Sequence, residues 1–358
     1  MESTFYAISS TFPFAVCLLW TCLLGDTARR KKAAALWMLA GFALTCTVLY
    51  FCHAVFFNDE ETPWVRILYR GANLAVYPLF WLYVRSLSEA GPIPLRAYWV
   101  LLPSLAGMLL CGILYASDAD CGWVEPLLSG VFLAEVVWVC FAGIRRLHAY
   151  DRRVENFYAD TEGKSMAPLR RLLYLLVLTS AASALANFLG RSLFSDSLLL
   201  AVPSVLFSVL LCLIFYVGGR MDHTAQEVTA LPESREEDDE PDSDEMQALL
   251  DRICALMESR QLFRTPGLKI TDLATELGSN RTYISNCINR LKGESFSDFV
   301  NAYRVRYAQS LLLRNDGGKT IAQIGAEAGF TGDTSFFRNF KKITGQTPSA
   351  WLSDREMS

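Results

Sequence analysis

Histidine is scarce in this chain: His53, His148 and His223 are the only three in 358 residues, and they lie far apart. The ten cysteines include no Cys-x-x-Cys pair, and none sits with histidine at a zinc-ligand spacing. The apolar part of the chain has no glycine-rich phosphate loop, no paired catalytic carboxylates and no Ser/His arrangement. No metal, no cofactor and no enzymatic activity is therefore expected. Charge is also sparse, at 20% of residues against 52% apolar. That is too apolar for a single soluble fold and too charged for a pure membrane bundle. The length suits two or three domains.

Eight of the cysteines fall in the apolar part, where Cys serves as a small hydrophobe. A disulfide framework is not implied, although Cys121, in a predicted outer loop, lies within reach of Cys52 at a helix end. The charges are unevenly spread. Residues 1–218 hold 16 basic and 15 acidic side chains, residues 219–245 hold 2 and 11, and residues 246–358 hold 15 and 11. The sequence thus predicts three parts: a near-neutral apolar domain, an acidic disordered linker and a mildly basic domain.

A bilayer core about 30 Å thick needs roughly 20 apolar residues per helix. Seven segments qualify: 5–25, 33–57, 66–86, 97–116, 126–144, 172–190 and 198–218. The first lacks a basic region before it and has Arg29, Arg30, Lys31 and Lys32 after it, so a cleavable signal peptide is not expected. The same four residues, with Arg145, Arg146, Arg152, Arg153, Lys164, Arg170 and Arg171 in the loop 145–171, mark one side of the membrane as cytoplasmic. Arg85 and Arg96 flank the loop between these two on that side. The alternate loops carry Asp59, Glu60, Glu61, Asp118, Asp120 and Glu125. The N-terminus is predicted outside and the end of the seventh helix inside.

Polar groups within such spans are costly and mark candidate signal-sensing positions. Glu135 falls near mid-depth, and His53, Arg70, Asn73 and Asn187 fall in the outer halves of their helices, where they can form one outward-facing pocket. Each also has a plainer reading. Arg70 can extend to the interface, His53 can serve a helix contact, and the asparagines can join helices.

Residues 219–245 carry Glu233, Glu236, Glu237, Asp238, Asp239, Glu240, Asp242 and Asp244, with Pro232 and Pro241. Such a run repels itself and buries no core. Beyond it, the pattern changes to short amphipathic helices: Met246–Ser259, Ile270–Leu277 closed by Gly278, a helix capped by Ser279 or Asn280 and running to about Leu291, then Phe296–Leu313 with Phe299, Tyr303 and Tyr307 on one face. Ile321–Ala328 and a helix from about Asp333 to Thr344 follow, closed by Gly329 and Gly345.

The domain is internally duplicated. Glu276 and Gly278 correspond to Glu327 and Gly329 at a spacing of 51, and Ile284, Ile288, Leu291 and Gly293 to Phe336, Phe340, Ile343 and Gly345 at 52. Each copy reads as helix, glycine turn, helix. On the second helix of each copy the apolar set is expected in the core. The opposite face presents Thr282, Ser285, Asn286 and Asn289 in the first copy, and Thr334, Phe337, Arg338 and Lys341 in the second. An apolar back and a polar front are what a DNA recognition helix needs. Asn pairs with adenine and Arg with guanine. Arg281, Arg290, Lys341 and Lys342 suit phosphates.

The second copy carries Gly329-Phe330, then Ser335-Phe336-Phe337-Arg338-Asn339-Phe340-Lys341-Lys342, then Gly345-Gln346-Thr347-Pro348. In this it resembles the DNA-binding domain of the AraC/XylS family of bacterial transcription regulators. The resemblance implies two helix-turn-helix units joined by the long helix Phe296–Leu313, with both recognition helices entering successive major grooves. It places Thr282, Ser285 and Asn286, and Thr334, Phe337 and Arg338, on base-reading positions. Gly325, Gly332, Asp333 and Trp351 depart from the family's usual residues. In the relatives this domain usually follows a soluble ligand-binding domain, and here it follows the apolar part.

The expectation is an all-α protein. It consists of a seven-helix transmembrane bundle (1–218), the linker (219–245) and an AraC-type double helix-turn-helix domain (246–358), multi-pass in a bacterial cytoplasmic membrane with its C-terminal domain in the cytoplasm. Its expected partners are double-stranded DNA, the lipid bilayer and a small-molecule or membrane signal, with a homodimer left open. Two rivals use the same features: a passive anchor with proteolytic release of the DNA-binding domain, and a membrane transporter regulated by its cytoplasmic domain.

Overall fold

The computed structural model describes residues 2–56, 62–89, 92–117, 123–189, 197–229, 243–314 and 318–356. Among them every regular element is helical, apart from one isolated bridge pair. The chain forms two compact units. Unit 1 is Met1–Ala149 with Met166–Ala230, and unit 2 is Tyr150–Ser165 with Leu231–Ser358.

Unit 1 is built from α1 (Glu2–Lys31), α2 (Ala34–Phe56), α3 (Pro63–Ser88), α4 (Leu102–Ala116), the first part of α5 (Val124–Phe157), α6 (Ala167–Leu189) and α7 (Ser197–Thr229). Helix α1 ends on Arg29, Arg30 and Lys31, cations that complement the negative end of the helix dipole. Helix α3 starts on Pro63, whose missing N–H costs nothing in a first turn. The fourth apolar segment is not one continuous α-helix. Leu95–Leu101 is a 3-10 helix, and α4 begins at Leu102 with Pro103 in its first turn, where proline starts a helix rather than kinking one.

Helix α1 packs on α2 and α7, α2 on α3, α3 on α4, and α6 on α7. Phe42 of α2 sits between Phe80 of α3 and Phe215 of α7, at ring distances of 5.3 and 5.6 Å. Trp81 of α3 meets Trp138 of α5 at 4.9 Å. Among the described residues five segments are long and apolar enough to cross a membrane: those within α1, α2, α5 and α7, and the segment Leu95–Ala116. Helix α3 is diluted by Arg66, Arg70, Asn73 and Arg85. The outward faces are apolar too, with Leu109, Val137, Phe141, Leu178 and Leu206 each more than 60% exposed.

The acidic strip is helical over 219–229, where it continues α7, and 230–242 lie outside the described residues. Cys52 is buried and carries no disulfide, and Cys121 lies outside the described residues.

Unit 2 contains α8 (Ser243–Arg260), α9 (Ile270–Leu277), α10 (Arg281–Lys292), α11 (Phe296–Leu313), α12 (Ile321–Glu327), α13 (Asp333–Thr344) and α14 (Pro348–Glu356). Local chemistry sets the ends. Asn280, Ser295 and Thr320 accept the first free N–H groups of α10, α11 and α12. Gly278, Gly293 and Gly345 close α9, α10 and α13 in the left-handed conformation. Helix α11 touches α10, α12 and α13 and so joins the two halves. One face of it carries Phe299, Tyr303 and Tyr307, and Phe263 packs on both tyrosines at 5.9 and 5.7 Å. Its other side enters a core of Val305, Ala308, Leu312, Ile324, Phe336, Phe340 and Trp351.

Two expected core positions are not buried. Leu291 is 37% and Ile343 44% exposed. Both stand in the last turn before a capping glycine, and the buried stripe is completed one turn earlier by Cys287 in α10 and by Ser335 and Asn339 in α13.

Candidate nucleic-acid interface

Helices α9 and α10, and α12 and α13, are the two helix-turn-helix pairs. In each, the second helix lays an apolar stripe on the core: Ile284 and Ile288 of α10, and Phe336 and Phe340 of α13, are all fully buried. The polar stripe then faces away. On α13, Thr334, Phe337, Arg338, Lys341 and Lys342 are exposed. On α10, Arg281, Thr282, Ser285, Asn286 and Asn289 are half-buried, and Asn289 donates to Ser285 Oγ at 3.3 Å. The two faces therefore differ in accessibility although their sequences correspond. Lys342 is also not idle, since its ammonium pairs with Asp298 of α11 at 2.6 Å.

A segment far away in sequence belongs to the same unit. The end of α5 and the turn after it, residues 150–165, lie against both helix pairs. Tyr158 forms the bridge pair with Lys269, and Ala159 N–H donates to the Leu268 carbonyl at 3.0 Å, next to α9. The Ala159 carbonyl accepts from Ser297 Oγ at 2.8 Å and from Asn301 Nδ2 at 3.0 Å, both on α11. Asp160, 3% exposed, accepts from Thr331 N–H at 3.3 Å and from Ser335 Oγ at 3.2 Å. Glu162 accepts from Ser335 N–H at 3.2 Å. Gly332, the N-cap residue of α13, has no side chain to cap the helix, and the carboxylate of Glu162 takes that role. The space matches the chemistry: a Cβ on Gly332 would stand 2.8 Å from Glu162 Oε2.

Arg304 of α11 is fully buried beneath this segment. It donates to the carbonyls of Phe263 at 2.6 Å and Thr265 at 2.9 Å. Burial pulls its pKa down to about 10, opposed by the negative charge of Asp160. Glu155, on the last turns of α5, has its pKa raised by burial and then by the charges of Asp298 and Asp151. Phe157 lies under the guanidinium of Arg281, 6.0 Å from ring to Cζ.

Sequence reasoning missed Asp160, Glu162, Ser297, Asn301 and Arg304. The loop 145–171 attracts attention for its basic residues, and nothing local shows that two of its four acids, Asp160 and Glu162, meet α13. The one available hint was Gly332, a helix start without a capping side chain.

In unit 1, the nominated sensing residues come together only in part. His53 meets the Tyr69 ring edge-on at 5.1 Å, and Arg70 lies over that ring at 5.7 Å. Asn73 follows one turn later on α3 and is half-buried. Both carboxylate oxygens of Glu135 are buried and have no hydrogen-bond partner among the described residues. The side chain of Asn187 lies outside the described residues. A separate groove of about 170 Å³ is lined by Phe12 and Val16 of α1 and Ser208, Val209, Cys212 and Leu213 of α7, none of them a nominated residue.

Residues 273–354 match the family described as "Helix-turn-helix domain". Over 105 residues the chain is 29% identical to an uncharacterized HTH-type transcriptional regulator of Staphylococcus aureus (strain MSSA476), which covers 29% of this chain and 14% of that protein. Over 88 residues it is 32% identical to the uncharacterized HTH-type transcriptional regulator YtdP of Bacillus subtilis (strain 168), covering 25% of this chain and 11% of the other. A solved structure of a protein of unknown function from Listeria innocua is 28% identical, with a TM-score of 0.26, and matches 29% of this chain and 94% of its own. The chain thus spans about 14% of the length of the S. aureus relative. The family match lies in the C-terminal region.

Proposed function

We propose that this chain, whose residues 273–354 are a helix-turn-helix domain of the AraC type, is a DNA-binding transcription regulator embedded in a bacterial cytoplasmic membrane. The observation that carries the reading is the duplicated recognition helix. Two helices at a sequence spacing of 52 bury matching apolar stripes and turn polar ones away from the core. On this reading Thr282, Ser285, Asn286 and Asn289 meet bases through α10, and Thr334, Phe337 and Arg338 through α13. Arg281, Lys341 and Lys342 neutralise phosphates, which positions the protein without specifying sequence.

Membrane embedding is supported by five long apolar segments and by the apolar side chains on the outside of unit 1. The basic loops give the orientation, with α1 starting outside and unit 2 in the cytoplasm. Signal sensing belongs to unit 1. Glu135, whose carboxylate oxygens have no hydrogen-bond partner among the described residues, is the position at which a ligand gains most by supplying one, and the His53–Tyr69–Arg70 group is a second candidate position.

The test is genome-wide mapping of DNA bound by the full-length chain in membrane-fractionated cells. Discrete sites, lost in Arg338→Ala while the chain stays in the membrane fraction, are expected. A chain that is membrane-bound but enriched at no DNA site would overturn the regulator reading, and one found wholly in the soluble fraction would overturn the embedding.

A further inference from the structure

We infer that the turn after α5 is an autoinhibitory clasp, in which Glu162 holds the N-terminus of the second recognition helix against DNA. The inference rests on the DNA-binding reading and adds a regulation to it. Three observations converge on the segment 155–162. Glu162 occupies the first turn of α13 by accepting from Ser335 N–H at 3.2 Å. A helix N-terminus entering a groove offers its free N–H groups and positive dipole to the DNA backbone, and a carboxylate already seated there satisfies the donor and repels phosphate. Phe157 lies under Arg281 at the start of α10, the matching end of the first recognition helix. Lys342 of α13 pairs with Asp298 at 2.6 Å, and the charges of both act on Glu155. Groups at both recognition helices are thus engaged by one short segment or beside it.

The clasp is anchored rather than incidental. The Ala159 carbonyl takes two hydrogen bonds from α11, and the buried Asp160 takes two from the approach to α13 and its first turn. Glu162, in contrast, is exposed and bonds α13 through one oxygen. The segment is therefore a fixed mount with a releasable tip. Its two flanks continue directly into α5 and α6, so any signal that shifts either helix end acts on the mount. Gly332 fits the device, because a Cβ there would stand 2.8 Å from Glu162 Oε2 and the carboxylate would have to shift.

The test uses the full-length chain in lipid nanodiscs with a random-sequence duplex long enough for both recognition helices, and records affinity against salt. Glu162→Gln keeps the shape and the acceptor oxygen but removes the charge. Gly332→Ser supplies its own cap and expels Glu162. Each is expected to tighten binding about two- to fivefold at low salt and to steepen its salt dependence. The double variant should bind no tighter than Gly332→Ser alone. A Glu162 that only caps the helix would leave affinity level or lower in Glu162→Gln. Wild-type binding that neither variant improves, at unchanged helix content, sinks the clasp alone. Absence of DNA binding by the wild type and every variant sinks the DNA-binding reading, and the clasp with it.

Discussion

The two units distribute apolar side chains in opposite ways. In unit 1 many large hydrophobic residues, such as Leu109, Ile113, Val137, Phe141 and Leu178, are exposed beside a buried set that includes Phe42, Phe80 and Phe215. In unit 2 the large exposed hydrophobics among the described residues are Leu291, Leu313, Phe337 and Ile343, while Phe336, Phe340, Ile284 and Ile288 are sealed inside. One chain therefore follows two solvent rules. Unit 2 is organised by burial from water, with polar residues outside. In unit 1 the helices are joined by aromatic pairs such as Trp81–Trp138, and on the membrane reading proposed above their apolar outer surface faces hydrocarbon. The same difference changes the meaning of a buried acid. Asp160 in unit 2 accepts two hydrogen bonds from the approach to α13 and its first turn, whereas Glu135 in unit 1 has no partner among the described residues.

The largest effect that tests this contrast is on the unit 2 core. Phe336→Ala removes a fully buried ring packed on Phe330 and Phe340 at 5.2 and 5.7 Å. It should cost unit 2 about 3–5 kcal/mol, read as an early chemical-denaturation transition with unit 1 helicity retained. A single simultaneous transition would break the division into two units. Next comes the outer surface. Leu109→Lys on the exposed face of α4 should cost about 2.5–3.5 kcal/mol in membrane insertion assays. Leu313→Lys, on an equally open face of unit 2, should stay within about 0.5 kcal/mol in stability. Equal, small effects at both places would remove the membrane reading of unit 1.

Smaller still is the DNA contact. Arg338→Ala should lose about 1–3 kcal/mol at one base position of the bound site. Lys341→Ala should weaken all sequences alike and flatten the salt dependence. Identical behaviour of the two variants would deny α13 a base-reading face. The smallest effect is a pH dependence. Because the pKa of Glu155 is raised on folding, the folded state holds its proton more tightly than the unfolded state. Stability from this group is intact below the ordinary carboxylate range and is lost as pH rises through the raised value. Glu155→Gln should flatten that part of the unit 2 stability–pH curve by a few tenths of a kcal/mol, screening at the exposed carboxylate keeping it small. An unchanged curve would show that Glu155 feels neither Asp298 nor Asp151.

What could be read from the sequence follows the range of the interactions involved. The ends of α9, α10 and α13 were legible because capping is local: Gly278, Asn280 and Gly345 act within a turn of their own helices. The buried stripes of α10 and α13, apart from their last apolar positions, were legible through helical periodicity and duplication. Leu291 and Ile343 were misplaced because periodicity fixes a direction around the helix axis but not where the covering neighbour stops. The meeting of Ala159 with Asn301, 142 residues apart, has no local signature. The same is true of Arg304, which reads as one more exposed cation until its two carbonyl partners are placed around it. The sensing residues were chosen by depth alone, and depth does not say which helices face one another. Hence Glu135 stands without a hydrogen bond among the described residues, while His53 and Arg70 share Tyr69.

Unit 2 is discontinuous in the chain: it begins at Tyr150, is interrupted after Ser165 and resumes at Leu231. This bears on any scheme in which a protease liberates the DNA-binding part. A single cut in the acidic strip leaves Tyr150–Ser165 covalently attached to α5 and α6, so the severed C-terminal piece departs without Asp160 and Glu162. The Leu268 carbonyl, the side chains of Ser297 and Asn301 and the first turn of α13 then lose their partners together. Scission at that point would remove a component of the domain as well as its tether, and the soluble fragment would differ in composition, and not only in location, from unit 2 of the intact chain.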